Sequence, residues 1–306
     1  MHRCHPWRVV ILIAVALVLV LPSGAIAQEA ASTEAPATPG PSGNRVDIGD
    51  GTLSVSCAGT GPPTVVLEAG GGNAADTWAS VQPEVARFTR VCSYDRAGLG
   101  QSDPAPSGVR TVQDSVDDLH ALLAAADISG PIVLAGHSFG GLITRLYASQ
   151  YPDDVAGVVL VDGMPPDLLA SALALLPAEE RRETFTIMRG LHPQDPEHLD
   201  IIASGIWVMA HSPAPVPTVV LAAGLHGAPG APPDPAFEDL WAELQRGQAR
   251  ALDARLVSVP EGDHFLQHDR PELVVEAIRL VVEAVRDPGS WVVSTSEPHA
   301  TGTPGP

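Results

Sequence analysis

Residues 131–141 read Pro-Ile-Val-Leu-Ala-Gly-His-Ser-Phe-Gly-Gly. An apolar strand runs into a Gly-x-Ser-x-Gly turn, and Leu-Ile-Thr-Arg-Leu-Tyr-Ala-Ser continues it as a helix. A serine on so sharp a strand-to-helix turn is held in a strained backbone conformation that only small neighbours permit. Gly136, Gly140 and Gly141 are therefore needed around Ser138. The strain pushes the hydroxyl out at the top of the sheet, and the first N–H groups of the helix aim at any anion that forms there. Five residues alone specify little; with this strand before them and this helix after them, they specify a nucleophile.

Outward from that turn, strands and helices alternate. Thr52 to Cys57 reads as a strand, and Thr64 to Leu67 as a buried one ending in Glu68-Ala69-Gly70-Gly71-Gly72. Trp78 to Phe88 reads as a helix, and Arg90 to Tyr94 as a strand ending in Asp95-Arg96-Ala97-Gly98-Leu99-Gly100-Gln101-Ser102-Asp103. Apolar residues at 112, 116, 119, 122 and 123 predict a helix over 112–125. Val155 to Val161 is a sixth strand closing on Asp162. Residues 163–215 break the alternation with prolines at 165, 166, 177, 193, 196, 213 and 215, the pattern of a helical lid inserted at the strand ends. Strand Val216–Ala223, helix Phe237–Leu252, strand Leu256–Val259 and a helix from Pro271 to about Val285 complete the domain. Such alternation predicts an α/β class with a mostly parallel sheet covered on both faces.

The ends are of a different character. Residues 1–27 carry arginines at 3 and 8, an apolar run from Val9 to Leu21, and Ala25-Ile26-Ala27, the three parts of a cleaved secretory signal peptide. The apolar run falls short of the roughly 20 residues of a membrane span, so no stable membrane anchor is expected after cleavage. Residues 28–44 are an Ala/Pro/Ser/Thr linker expected to be disordered and 287–306 a tail of similar composition, leaving one folded domain at 45–286. The formal net charge of −19, with arginine as the only strong base, argues against nucleic-acid partners. Cleavage would leave Cys57 and Cys92, most simply one disulfide in an exported chain, with two buried free thiols as the alternative.

Together, Val65-Val66-Leu67-Glu68-Ala69-Gly70-Gly71, the Tyr94–Asp103 stretch, Gly136-His137-Ser138-Phe139-Gly140-Gly141 and Gly262-Asp263-His264 resemble the α/β-hydrolase superfamily, in its secreted bacterial serine esterase and lipase-like form. The resemblance spans about 240 residues. It implies neighbouring second and fourth strands, which would bring Cys57 and Cys92 together, and it assigns roles. Ser138 is the expected nucleophile and His264 the expected base, with His268 as its rival. His137 is expected to pack, and the other histidines to lie on the surface or in the lid. The oxyanion donors are the N–H groups of Phe139 and, by alignment, Gly71.

The acid departs from the pattern. After the seventh strand, Gly224-Leu225-His226-Gly227-Ala228-Pro229-Gly230 holds no carboxylate. Asp162, closing the sixth strand, is the preferred acid, and Asp234, in Pro232-Pro233-Asp234-Pro235, the second candidate. The expected activity is hydrolysis of a small-molecule carboxylic ester through an acyl-enzyme, with no cofactor and no metal. Acyl transfer, amide or lactone hydrolysis and cofactor-free peroxidation remain open on the same triad, and a non-catalytic binding protein stands as the reading of another class.

Overall fold

The structure, a computed structural model, describes residues 43–176, 178–190, 195–227 and 233–291. The expected signal peptide, linker residues 28–42 and the tail beyond 291 lie outside the described residues.

Eight strands form one sheet: β1 (Asn44–Asp47), β2 (Thr52–Ala58), β3 (Val65–Glu68), β4 (Val91–Asp95), β5 (Ile132–His137), β6 (Val155–Val161), β7 (Thr218–Leu225) and β8 (Arg255–Asp263). Their spatial order is β1-β2-β4-β3-β5-β6-β7-β8. The two pairs involving β2 are antiparallel and the rest are parallel. The helices are α1 (Gln82–Val85), α2 (Val112–Ala125), α3 (Phe139–Gln150), α4 (Leu168–Leu175), α5 (Ala178–Ile187), α6 (Ile201–Met209), α7 (Pro235–Ala251), α8 (Leu266–Asp269) and α9 (Pro271–Arg286). None among the described residues is long and apolar enough to cross a membrane.

Successive strand residues point to opposite faces, so each central strand feeds two cores. Leu134, Leu160 and Val220 join Leu119, Leu142 and Trp241 on one face. Val133, Val159 and Val219 join Trp78, Ile278 and Val281 on the other. Burial on both faces explains why these strands are unbroken Val/Leu runs.

Three local readings are corrected. The stretch 78–88 is not one helix but a 3-10 turn, Ala75–Trp78, followed by the short α1, in which Pro83 sits in the first turn where its missing N–H costs nothing. The last strand continues through Pro260 to Asp263, because β8 is an edge strand and one side needs no ladder donor. The first strand begins at Asn44, inside the expected linker. Between β6 and β7 the chain forms α4, α5 and α6, the short helices expected of 163–215. Cys57 and Cys92 face each other across β2 and β4, 4.0 Å apart at Cα, and are joined as a disulfide.

Candidate active site

Sheet register brings the site together. His137 pairs with Val161 across β5 and β6, so the next residues, Ser138 and Asp162, leave adjacent strand ends. Leu225 pairs with Asp263 across β7 and β8, so His226 and His264 leave the next two. All four stand at the carboxyl edge of the parallel strands, where α/β sheets place their ligands.

Ser138 has φ 51° and ψ −121°, and Asp162 has φ 44°. Both are positive-φ residues without a glycine's freedom, a cost of order 1–3 kcal/mol each. The glycines at the elbow answer to close contacts. A Cβ on Gly136 would lie 2.4 Å from the Gly140 carbonyl oxygen, and one on Gly140 would lie 2.6 Å from the carbonyl oxygens of Glu68 and Ala69. Gly140 thus lets the start of α3 touch the Glu68 and Ala69 backbone, and Gly70 lies against the His137 ring.

His264 bridges the serine and the acid. Its Nε2 lies 3.2 Å from Ser138 Oγ and its Nδ1 2.7 Å from Asp162 Oδ2. Asp234 is not in this group; its carboxylate caps α7 by accepting the Ala236 N–H at 3.0 Å. His268 is also elsewhere, with Nε2 3.0 Å from the Thr77 carbonyl oxygen. His137 packs, as expected, and also props the candidate base: its Nε2 lies 2.9 Å from the His264 carbonyl oxygen. Burial, reinforced by His264, holds the His137 ring well below the ordinary imidazole range, so it is neutral and Nε2–H donates.

Asp162 is fully buried. Besides His264, its Oδ2 faces His226 Nε2 at 2.8 Å, and its Oδ1 accepts from the Ala223 N–H and Trp241 Nε1–H, both at 2.9 Å. Burial alone would raise its pKa, but the charge and hydrogen bonds of His226 and His264 outweigh burial and hold the carboxyl far below the usual range. His226 was expected at the surface or in the lid; it is buried instead, because Glu238 on α7 meets both its N–H and its Nδ1, at 2.7 and 2.6 Å. Burial pulls the His226 pKa down, yet Asp162 and then Glu238 push it up to about 9.

The Phe139 and Gly71 N–H groups have no backbone acceptor among the described residues. The Gly71 loop is held from behind. Arg96, buried, donates to the Ala69 and Gly70 carbonyl oxygens at 2.7 Å and pairs with Glu68 at 2.6 Å and Glu197 at 2.7 Å. Glu197 also accepts the Gly72 N–H at 2.6 Å. Asp95 and Asp103 hold the backbone around their own turn: Asp95 accepts the Ala75 and Gln101 N–H groups, and Asp103 that of Thr52.

Asp162, His226 and His264 are the set of metal-capable side chains with ligand atoms within 4.8 Å of one another among the described residues. His226 Nε2 and His264 Nδ1 meet the same carboxylate oxygen, Asp162 Oδ2, at 2.8 and 2.7 Å. One cavity of about 540 Å³ lies beside Arg90 and Arg286, and another of about 360 Å³ lies along α7 and β8, bordered by Glu238.

A sheet with this order, a strained serine on the β5–α3 turn and a histidine after β8 define the α/β-hydrolase class. Residues 63–187 match the family model described as alpha/beta hydrolase fold. The chain belongs to the α/β-hydrolase superfamily and is a hydrolase of that fold. It is 29% identical to 2-(acetamidomethylene)succinate hydrolase of Mesorhizobium japonicum, over 78% of this chain and 95% of that one. It is 27% identical to the Bacillus subtilis protein YqjL, over 72% and 83%. A thermophilic esterase from Thermogutta terrifontis shares the fold with a TM-score of 0.52 and 24% identity, over 77% of this chain and 94% of that one.

Proposed function

We propose that the protein is a serine hydrolase that cleaves a carboxylic ester through an acyl-enzyme, with Ser138 as nucleophile, His264 as base and Asp162 as acid. The observation that carries this reading is the placement of His264, with one ring nitrogen on Ser138 Oγ and the other on a buried carboxylate. As Ser138 Oγ attacks the ester carbonyl carbon, His264 Nε2 takes its proton. Asp162 holds the Nδ1–H tautomer and stabilises the imidazolium that results. Negative charge then collects on the former carbonyl oxygen, and in this reading the N–H groups of Phe139 and Gly71 receive it. Collapse expels the alcohol with the proton from His264, and water, deprotonated by His264, releases the acid and restores Ser138.

Helices α4 to α6 form a lid over this edge in our reading, and the signal-like residues 1–27 export the protein. A second reading uses the same groups on an acyl C–N bond, and the relative named as 2-(acetamidomethylene)succinate hydrolase favours it. A panel of p-nitrophenyl esters of increasing acyl length, run beside matched anilides, tests the choice. Turnover of esters that disappears in Ser138→Ala is the expected result. Turnover of anilides alone would move the function to the second reading, and ester turnover that survives Ser138→Ala would remove the nucleophile.

A further inference from the structure

The acid of the candidate triad serves two histidines. Only one of them, His264, faces the serine; His226 reaches Asp162 from the opposite side and is itself gripped by Glu238. We propose that His226 is a positioning residue that stays protonated at neutral pH, an imidazolium clamped between Glu238 and Asp162, which fixes the acid and extends the working range of Ser138 and His264 to lower pH. The proposal rests on the serine-hydrolase reading of the same site.

Hydrogen placement carries the inference. An imidazole with a single proton would leave one ring nitrogen as a bare lone pair against a carboxylate oxygen at 2.6 or 2.8 Å. A proton on each nitrogen removes that repulsion and makes both contacts charge-assisted hydrogen bonds. Asp162 has no room for a proton, since Ala223, Trp241, His226 and His264 supply four donors to its two oxygens. The Glu238 carboxylate is fixed on its other oxygen by the His226 backbone N–H. Among the described residues, Asp162 pairs with His226 and His264 and with no arginine. Facing the ring are Asp162 after β6, Glu238, Phe237 and Trp241 from α7, and His264 after β8. Asp263 spends its carboxylate on the Phe265 N–H at 2.7 Å. Asp239 and Arg246 border the cleft beside Glu238.

The consequence is electrostatic. A bare carboxylate next to His264 favours its protonated, inactive form; a cation on the far side of that carboxylate offsets part of the pull. The ring centroids of His226 and His264 are 5.4 Å apart, close enough for the charge to be felt. Removing it moves the acid limb of the rate profile upward by about one pH unit.

Two measurements test this, and they separate it from the reading beneath it. ¹⁵N NMR of histidine-labelled wild-type protein is expected to show both His226 ring nitrogens protonated at pH 7, with loss of a proton only near pH 9. One unprotonated His226 nitrogen at pH 7 overturns the proposal, whatever the enzyme hydrolyses. In the kcat/KM profile, the acid limb is expected to rise by about one pH unit from wild type to His226→Gln. An unshifted limb in a folded His226→Gln variant overturns it as well. Absence of any Ser138-dependent turnover in wild type would instead fall on the hydrolase reading, while the NMR result would stand.

Discussion

Asp162 receives four donors from four different places: the β7 backbone, α7, and the turns after β7 and β8. That convergence explains how a carboxylate survives complete burial, since an unpaired one would neutralise itself. It also separates the two acid candidates. An asparagine at 162 would set an NH₂ group against donors and favour the wrong His264 tautomer, so Asp162→Asn is expected to lower kcat/KM by roughly 10³-fold or more. Asp234→Asn should stay within about twofold, because asparagine caps a helix as well as aspartate does. Steady-state kinetics on one ester decides, and the reverse ranking would give the role to Asp234. Ser138 and His264 were legible in the sequence because each sits in a local signature, Gly-x-Ser-x-Gly and Gly-Asp-His. His226 was not. Its importance comes from Glu238, twelve residues on, and from Asp162, sixty-four residues back, and no short-range pattern records either contact. The available hint was the Glu238 and Trp241 pair, three apart and so on one helical face, opposite a strand end that lacked its usual carboxylate.

At the scale of elements, the site depends on two polar seams where apolar packing would be the ordinary choice. The inner face of α7 presents Glu238, Trp241, Gln245 and Gln248 at helical spacing, and the last two donate to the Gly163 carbonyl oxygen just past Asp162. The second seam is Arg96 between Glu68 and Glu197, which ties the segment between β6 and β7 to the glycine loop after β3. Burial alone would lower the Arg96 pKa, and the two carboxylates, Glu197 ahead of Glu68, raise it above its ordinary value instead. Removing one anion leaves that guanidinium underpaired in the interior. Glu197→Gln is expected to destabilise the fold by about 3 kcal/mol or more in urea denaturation, and a loss below roughly 0.5 kcal/mol would contradict a structural pairing. Glu197 carried no signal in the sequence: it lies in the Pro-rich stretch whose path between its helices periodicity does not define. Strands β3 to β7, by contrast, were legible to within a few residues because burial on both faces makes them mostly apolar runs.

For the whole molecule, function follows from a parallel sheet whose register lines up four strand ends and whose antiparallel edge is stapled by Cys57–Cys92. A cross-link closing 35 residues contributes of order 2–4 kcal/mol to stability. It does so far from the chemistry, at the opposite flank of the sheet from β7 and β8. The acidic surface expected from a net charge of −19 adds solubility and selects no substrate. What decides activity is whether the strained serine at the β5–α3 turn is a nucleophile. The most direct measurement is intact-mass and peptide-mapping analysis of the folded protein after a fluorophosphonate probe. One adduct per chain on Ser138, lost on prior unfolding and strongly slowed in His264→Gln, is the predicted result. Folded protein that takes up no label at Ser138, or labels there at the same rate without His264, would contradict the account.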